Sequence, residues 1–171
     1  KKALKAWGEN AFKNEVIAIQ LPDGKLFERD ECPQEPNPEK IASLQPAFDA
    51  KGTVTAANSS PVTIGVGAAL LIREDVAKKL GLKVRAWIVT TAYAGCDYKR
   101  MGMGPVPATE KALKRANLSI DKIDIFEFNE AFAAQSLYCL KKLNVPLNKV
   151  NLHGGAIALG HPLGMSGVRI I

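Results

Sequence analysis

The sequence predicts an α/β fold, with helices packed on a sheet. Three observations lead there. From residue 83 onward, short runs rich in Val, Ile and Phe alternate with longer stretches whose apolar residues recur at helical spacing. The uncharged run Thr63–Ile72 reads as a buried strand. The run Asn151–Gly167 places five glycines and Pro162 around His153 and His161, directly after a strand candidate. A packed core has no use for that much glycine, whereas a loop that brings backbone and an imidazole close to a ligand does.

The elements follow in order. Residues 3–14 read as a helix weakened by Gly8. Val16–Leu21 is a short strand candidate and Asp23-Gly24 a turn. Residues 28–38 are acidic and carry Pro33, Pro36 and Pro38, so an irregular loop is expected. The texture changes near Lys51, where a loop of small polar residues, Asn58-Ser59-Ser60-Pro61, leads into Thr63–Ile72. Glu74–Leu80 is a short helix stopped by Gly81. Lys83–Thr91 is a strand. Pro105–Ala116 is a helix with Ala108, Ala112, Leu113 and Ala116 on one stripe. Ile123–Phe128 is a strand, Glu130–Leu143 a helix with Lys141 and Lys142 at its C-terminal end, and Val150–Leu152 a third strand. Met165–Ile171 begins a helix that the 171 residues do not finish, so the fold is expected to be incomplete.

Composition narrows the class. With 47% hydrophobic and 23% charged residues the chain is ordinary globular protein. No run of about 18 apolar residues suggests a membrane span, and no basic-then-apolar leader is seen. The net charge of +6 is uneven: residues 1–50 hold 7 Lys+Arg against 9 Asp+Glu, and residues 51–171 hold 16 against 8. That basic surface suits a small polyphosphate or solvated helix faces. It lacks the interleaved aromatics of single-strand nucleic-acid binders, so no nucleic-acid partner is expected. Cys32, Cys96 and Cys139 are odd in number and widely spaced, which fits a reducing compartment and gives no metal-ligand pattern.

Two positions carry candidate chemistry. His161 precedes Pro162, which steers its backbone away from helix, and Gly160 and Gly164 flank it. An imidazole presented on such a loop can act as a base near neutral pH and can donate to an oxyanion, although a turn-capping role is open to it too. Asn129 stands where a strand gives way to a helix, either as an N-cap or as a ligand-facing amide at a strand's carboxyl end. Glu130 either favours a helix N-terminus or orients a neighbour. His153 reads as an ordinary polar side chain. Asn58-Ser59-Ser60 and Met101–Pro105 read mainly as turns that permit ligand approach.

These motifs resemble those of the thiolases, in the family's order and across essentially the whole chain. They are Pro46-Ala47-Phe48, the stretch Gly52–Ser60, Met103–Ala108, Asn129-Glu130-Ala131-Phe132-Ala133-Ala134-Gln135, and the run 151–167. The resemblance implies a thiolase-like layered α/β/α fold, with a mixed sheet covered by helices on both faces. Residues 1–50 would be part of the loop domain, 51–82 the last part of the N-terminal half, and 83–171 a truncated C-terminal domain. It implies cleavage of 3-ketoacyl-CoA with coenzyme A, or the reverse Claisen condensation, through a cysteine acyl-enzyme. His161 matches the histidine that activates the nucleophile and helps bind the thioester oxygen. Asn129 matches the asparagine that holds a water in the same oxyanion hole. Phe48, Ser60, Ala131, Phe132 and Leu163 fall where the family lines its acyl-pantetheine tunnel. Coenzyme A enters as substrate, with no cofactor and no metal. A homodimer or homotetramer, located in the cytoplasm or in an organelle of fatty-acid oxidation, is implied as well.

Departures from the family pattern are equally informative. Neither family cysteine context is found around Cys32, Cys96 or Cys139, so the chain is expected to be part of a longer thiolase and inactive alone. Ile64 stands where the family usually carries an acid. The alternative reading is a non-catalytic acyl-CoA-binding or accessory module. A ketoacyl-synthase type of condensing enzyme fits less well, because that group lacks Asn-Glu-Ala-Phe.

Overall fold

Alanine decides the start of the chain. In the computed structural model, which describes residues 1–171, helix α1 (Lys2–Gly8) buries Ala3 and Ala6. It is shorter than the expected 3–14, because the backbone turns left-handed at Asn10 (φ 56°) just beyond Gly8. Strands β1 (Ile19–Gln20) and β2 (Leu26–Phe27) form an antiparallel hairpin that pairs Ile19 with Phe27 and Gln20 with Leu26. The expected Asp23-Gly24 turn closes it: Gly24 has φ 84°, and the Asp23 carboxylate accepts from the Lys25 amide at 3.1 Å.

Helix α2 (Pro38–Ala42) lies at the edge of the segment expected to be irregular. Asn37 caps it by accepting from the Lys40 amide at 2.9 Å, and Pro38 sits at its first position. Helix α3 spans Glu74–Lys79, as expected from its sequence. Helix α4 (Pro105–Ala116) has the anticipated bounds and ends on left-handed Asn117. Helix α5 (Ala133–Lys142) starts three residues later than expected, because Phe132 is extended and forms its N-terminal boundary. Two short helices, α6 (Ala156–Leu159) and α7 (Ser166–Arg169), lie inside and just beyond the glycine-rich run.

The hydrogen-bonded sheet is much smaller than expected. Apart from the β1–β2 hairpin, pairing is limited to an antiparallel bridge between Ser59 and Phe132 and a parallel bridge between Phe126 and Val150. Segments 63–72 and 83–91 belong to no ladder. Their apolar side chains point largely into solvent: Val66 is 93% and Leu70 83% exposed. A strand needs a neighbour to satisfy its backbone, and within these 171 residues the two segments have none.

Two small apolar clusters hold the molecule. One joins Ala3, Ala6, Phe12 and Leu159; the other joins Leu140, Leu143, Val145 and Val150. The glycine-rich run is strung between them, with Val150 anchored in the second and Leu159 in the first. That double anchorage is what positions the loop carrying His161.

Candidate functional site

The site begins with backbone that only glycine tolerates. Gly160 has φ 95°, and a Cβ there would lie 2.7 Å from the Thr63 hydroxyl. The next residue, His161, therefore leaves α6 on a sharp turn, with Pro162 pressed against Gly65 of the 63–72 segment. A Cβ at Gly155 would collide with the Glu130 carboxylate and the Asn151 side-chain amide, so a larger residue here would displace both side chains.

His161 meets Asn129 across the site. The Asn129 amide nitrogen lies 3.3 Å from His161 Nε2, although the residues are 32 positions apart. Asn129 is not a helix cap, since α5 begins after Phe132. The other ring nitrogen, Nδ1, lies 2.7 Å from the Ser166 hydroxyl. Ser166 is buried and donates to the Pro162 carbonyl at 3.0 Å. Both nitrogens of the imidazole are thus engaged, which holds the ring in a single orientation.

A polar bracket holds the Asn129 loop against the glycine loop. Asn151 is buried; its side-chain oxygen accepts from the Phe128 amide at 2.7 Å. Its amide group donates to the Phe128 carbonyl at 2.9 Å and to Glu130 at 3.0 Å. The other Glu130 oxygen accepts from the Ile157 amide at 3.3 Å, in the first turn of α6. Glu130 therefore does serve a helix N-terminus, but that of α6 rather than the helix it precedes in sequence. Lys2 of α1 reinforces the bracket by donating to the Val150 carbonyl at 2.7 Å.

The other expected residues fall into two groups. Phe48, Ser60, Ala131 and Phe132 come together: the rings of Phe48 and Phe132 meet edge-on at 6.3 Å, and the Ser60 amide donates to the Ala131 carbonyl at 3.0 Å. Asn58 and Ser59 use their side chains within their own loop, bonding Thr53 and Thr55, whereas the Ser60 hydroxyl makes no hydrogen bond. Leu163 stands apart, 85% exposed on the turn beyond His161. His153 packs edge-on against Phe12 at 5.9 Å, which fits the ordinary role expected for it.

No cysteine of this chain is placed or tuned as a nucleophile for His161. Burial pushes the Cys139 thiol up, and its Sγ donates to the Gly102 carbonyl at 3.2 Å. Burial, with Asp30 and Glu31 beside it, pushes the Cys32 thiol up as well. Cys96 is exposed and its sulfur faces the carbonyls of Arg100 and Met101. Activated cysteines need the opposite surroundings, with cationic neighbours and partial exposure. No group of three or more His, Cys, Asp or Glu is placed to hold a metal ion.

The residues that sequence reading missed are Ser166 and Asn151. Asn151 carries a local signal, because a left-handed turn (φ 45°) at the end of a strand favours asparagine. Ser166 carries none, as a serine at a helix start ordinarily caps its own helix.

A loop histidine packed against a strand-end amide between helices and strand segments is the arrangement of an α/β protein, and comparison makes the family specific. The family model described as thiolase, C-terminal domain, matches residues 82–171, and that of the thiolase N-terminal domain matches residues 1–75. The chain belongs to the thiolase family. It is 53% identical to a 3-ketoacyl-CoA thiolase of Vibrio parahaemolyticus, over 95% of this chain and 44% of that protein. Among solved structures it resembles the dimeric peroxisomal thiolase of Saccharomyces cerevisiae, with TM-score 0.94 and 48% identity, covering 98% of this chain and 43% of that one. It also resembles human mitochondrial 3-ketoacyl-CoA thiolase in complex with CoA, with TM-score 0.94 and 42% identity, over 99% of this chain and 43% of that one. The chain thus has the thiolase fold, traced through segments that in isolation form little hydrogen-bonded sheet. It spans about 44% of the length of the curated relatives it matches.

Proposed function

We propose that this chain supplies the base and the oxyanion donors of a thiolase acyl-transfer site. The site would cleave 3-ketoacyl-CoA with coenzyme A to acetyl-CoA and a shortened acyl-CoA, or run the reverse Claisen condensation. The observation that carries the proposal is the approach of Asn129 to His161 Nε2 at 3.3 Å. In this reading Nε2 takes the proton of a cysteine thiol supplied by another part of a longer thiolase. The thiolate attacks the 3-keto carbon, and the bond between carbons 2 and 3 breaks. The acetyl-CoA enolate leaves after taking a proton from a second cysteine, also supplied by another part of the longer thiolase. Coenzyme A then gives its thiol proton back to that cysteine and attacks the acyl-enzyme, releasing the first cysteine as the thiolate beside protonated Nε2. Each tetrahedral intermediate places negative charge on one oxygen, near protonated Nε2 and a water held by Asn129. A preorganised donor of this kind contributes about 3 kcal/mol to the transition state.

Phe48, Ser60, Ala131 and Phe132 would line the acyl-pantetheine path, with Leu163 at its rim. The free Ser60 hydroxyl and the Phe48–Phe132 contact support that placement. Coenzyme A is substrate rather than cofactor. The dimeric yeast neighbour supports a homodimer, and a homotetramer is a further possibility to be measured. The peroxisomal and mitochondrial relatives support an organelle of fatty-acid oxidation, with the cytoplasm as the other candidate. The division into 1–50, 51–82 and 83–171 is part of the same reading, and the two family matches support a change of domain near residue 80.

The test is thiolysis of acetoacetyl-CoA by the source polypeptide that carries this segment. His161→Ala is expected to lower kcat by about 10²- to 10⁴-fold, the usual worth of a positioned base. Unchanged turnover would overturn the proposal. The absence of any cysteine bonded to His161 favours one other reading, a non-catalytic acyl-CoA-binding module. Calorimetric titration of the source polypeptide with coenzyme A separates the two: tight binding without turnover would favour the module.

A further inference from the structure

Ser166 is a residue that the acyl-transfer reading has no role for, and it makes the shortest contact to the candidate base. Its hydroxyl lies 2.7 Å from His161 Nδ1 and 3.0 Å from the Pro162 carbonyl. A serine hydroxyl has one proton and can donate it once, while its oxygen can also accept. The hydroxyl is placed to donate to the Pro162 carbonyl, the oxygen that also takes the Met165 and Ser166 backbone N–H groups, and in that arrangement its own oxygen is left to accept. The hydroxyl oxygen is then an acceptor toward the ring, and Nδ1 must carry the hydrogen.

The opposite side of the ring agrees with that assignment through a longer and weaker contact. Asn129 presents its amide nitrogen to Nε2 at 3.3 Å, and an amide nitrogen only donates. Nε2 must therefore offer its lone pair. One neutral tautomer satisfies both neighbours: hydrogen on Nδ1, lone pair on Nε2.

We propose that Ser166 is a positioning residue that locks His161 in the Nδ1–H tautomer, so that Nε2 faces the site as a ready base. The relay runs from the Pro162 carbonyl to the Ser166 hydroxyl to Nδ1, all within one turn of backbone. Pro162 and Ser166 belong to the same stretch that starts α7, as Ser166 and Met165 both donate backbone N–H groups to the Pro162 carbonyl at 2.9 and 3.0 Å. The start of α7 thereby sets the chemistry of a ring five residues earlier. A serine suits this role because its neutral hydroxyl can fix the tautomer without placing a charge beside the ring.

This inference rests on the acyl-transfer reading for its consequence, and its test does not use activity. The source polypeptide that carries this segment is labelled with ¹⁵N-histidine, and the His161 tautomer is read by long-range ¹H–¹⁵N correlation at a pH where the ring is neutral. His161→Gln identifies the His161 signals by their loss. The expected result is a single Nδ1–H tautomer in the unmodified chain. Ser166→Ala is expected to give a mixture with substantial Nε2–H, and Ser166→Thr to restore the Nδ1–H form, which loss of packing alone would not do. An Nε2–H tautomer or a mixture in the unmodified chain overturns the proposal, as does an Nδ1–H tautomer that persists in Ser166→Ala. Failure of thiolysis with the Nδ1–H tautomer intact would count against the acyl-transfer reading instead.

Discussion

At the scale of single residues, the site depends on groups that satisfy one another. Asn151 makes three side-chain hydrogen bonds while buried and left-handed at φ 45°. Asn151→Ala leaves the Phe128 amide and carbonyl and one Glu130 oxygen without partners, and is expected to destabilise the chain by about 3 kcal/mol in urea unfolding. Asn151→Gly loses the same bonds but relieves the backbone, so it is expected to be about 1 kcal/mol less damaging than the alanine. Equal losses would show that the left-handed turn costs nothing here. Glu127 supplies a pH dependence. Partial desolvation raises the carboxyl of this surface residue above the usual range, opposed by His153, the Leu152 amide and Lys2. A raised folded value means that stability is full below the ordinary carboxylate range and is lost as pH rises through the folded value. Glu127→Gln is therefore expected to have a higher Tm than the unmodified chain at pH 7. That gap should close toward pH 3.5, and a gap that widens on acidification would reverse the sign assigned here.

At the scale of elements, the helices form where local sequence supports them, and what they pack against decides their consequence. Helix α4 has a proline start, an asparagine C-cap and one apolar stripe, and its bounds were legible to the residue. Helix α5 was legible in its body but not at its start, because the bridge between Ser59 and Phe132 holds Phe132 extended and frees Asn129 to face the histidine. That same helix buries Cys139 completely, against the turn carrying Gly102. Mass-spectrometric footprinting with a thiol reagent should label exposed Cys96 first and leave Cys139 unmodified until the chain unfolds. Early labelling of Cys139 would mean that α5 separates from the Gly102 turn in the native state. Helix α1 braces the site from outside: Ala3 lies against Gly154, and Lys2 holds the Val150 carbonyl.

At the scale of the whole molecule, surface area is the governing quantity. A folded monomer of 18.4 kDa is expected to expose about 8,200 Å², whereas this chain exposes 13215 Å². Part of the surplus is the apolar face of segments 63–72 and 83–91, which no part of the chain covers. Such surface drives self-association. The isolated chain is expected to associate with rising concentration in light scattering, and the double variant Val66→Lys, Leu70→Lys to remain monomeric to at least about tenfold higher concentration. Both side chains are almost fully exposed, so little folded packing is lost. Association unaffected by the two lysines would place the sticky surface elsewhere.

The sequence by itself determined the local features. The Asp23-Gly24 turn, the limits of α4, the body of α5 and the thiolase family all follow from residues a few positions apart, where caps, prolines and glycines act. The tertiary structure alone decided which distant groups meet. Asn129 could be read equally as a cap or as a site amide until the extended Phe132 moved the helix start away from it. Glu130 was expected to serve or orient some neighbour, and only packing showed that its neighbours are Asn151 and the first turn of α6. Ser166 showed nothing until its hydroxyl was found against Nδ1. The expected sheet is only partly hydrogen-bonded within this chain, for the same physical reason. A helix satisfies its backbone within its own few residues, while a strand must borrow partners from elsewhere, and in this chain segments 63–72 and 83–91 find none.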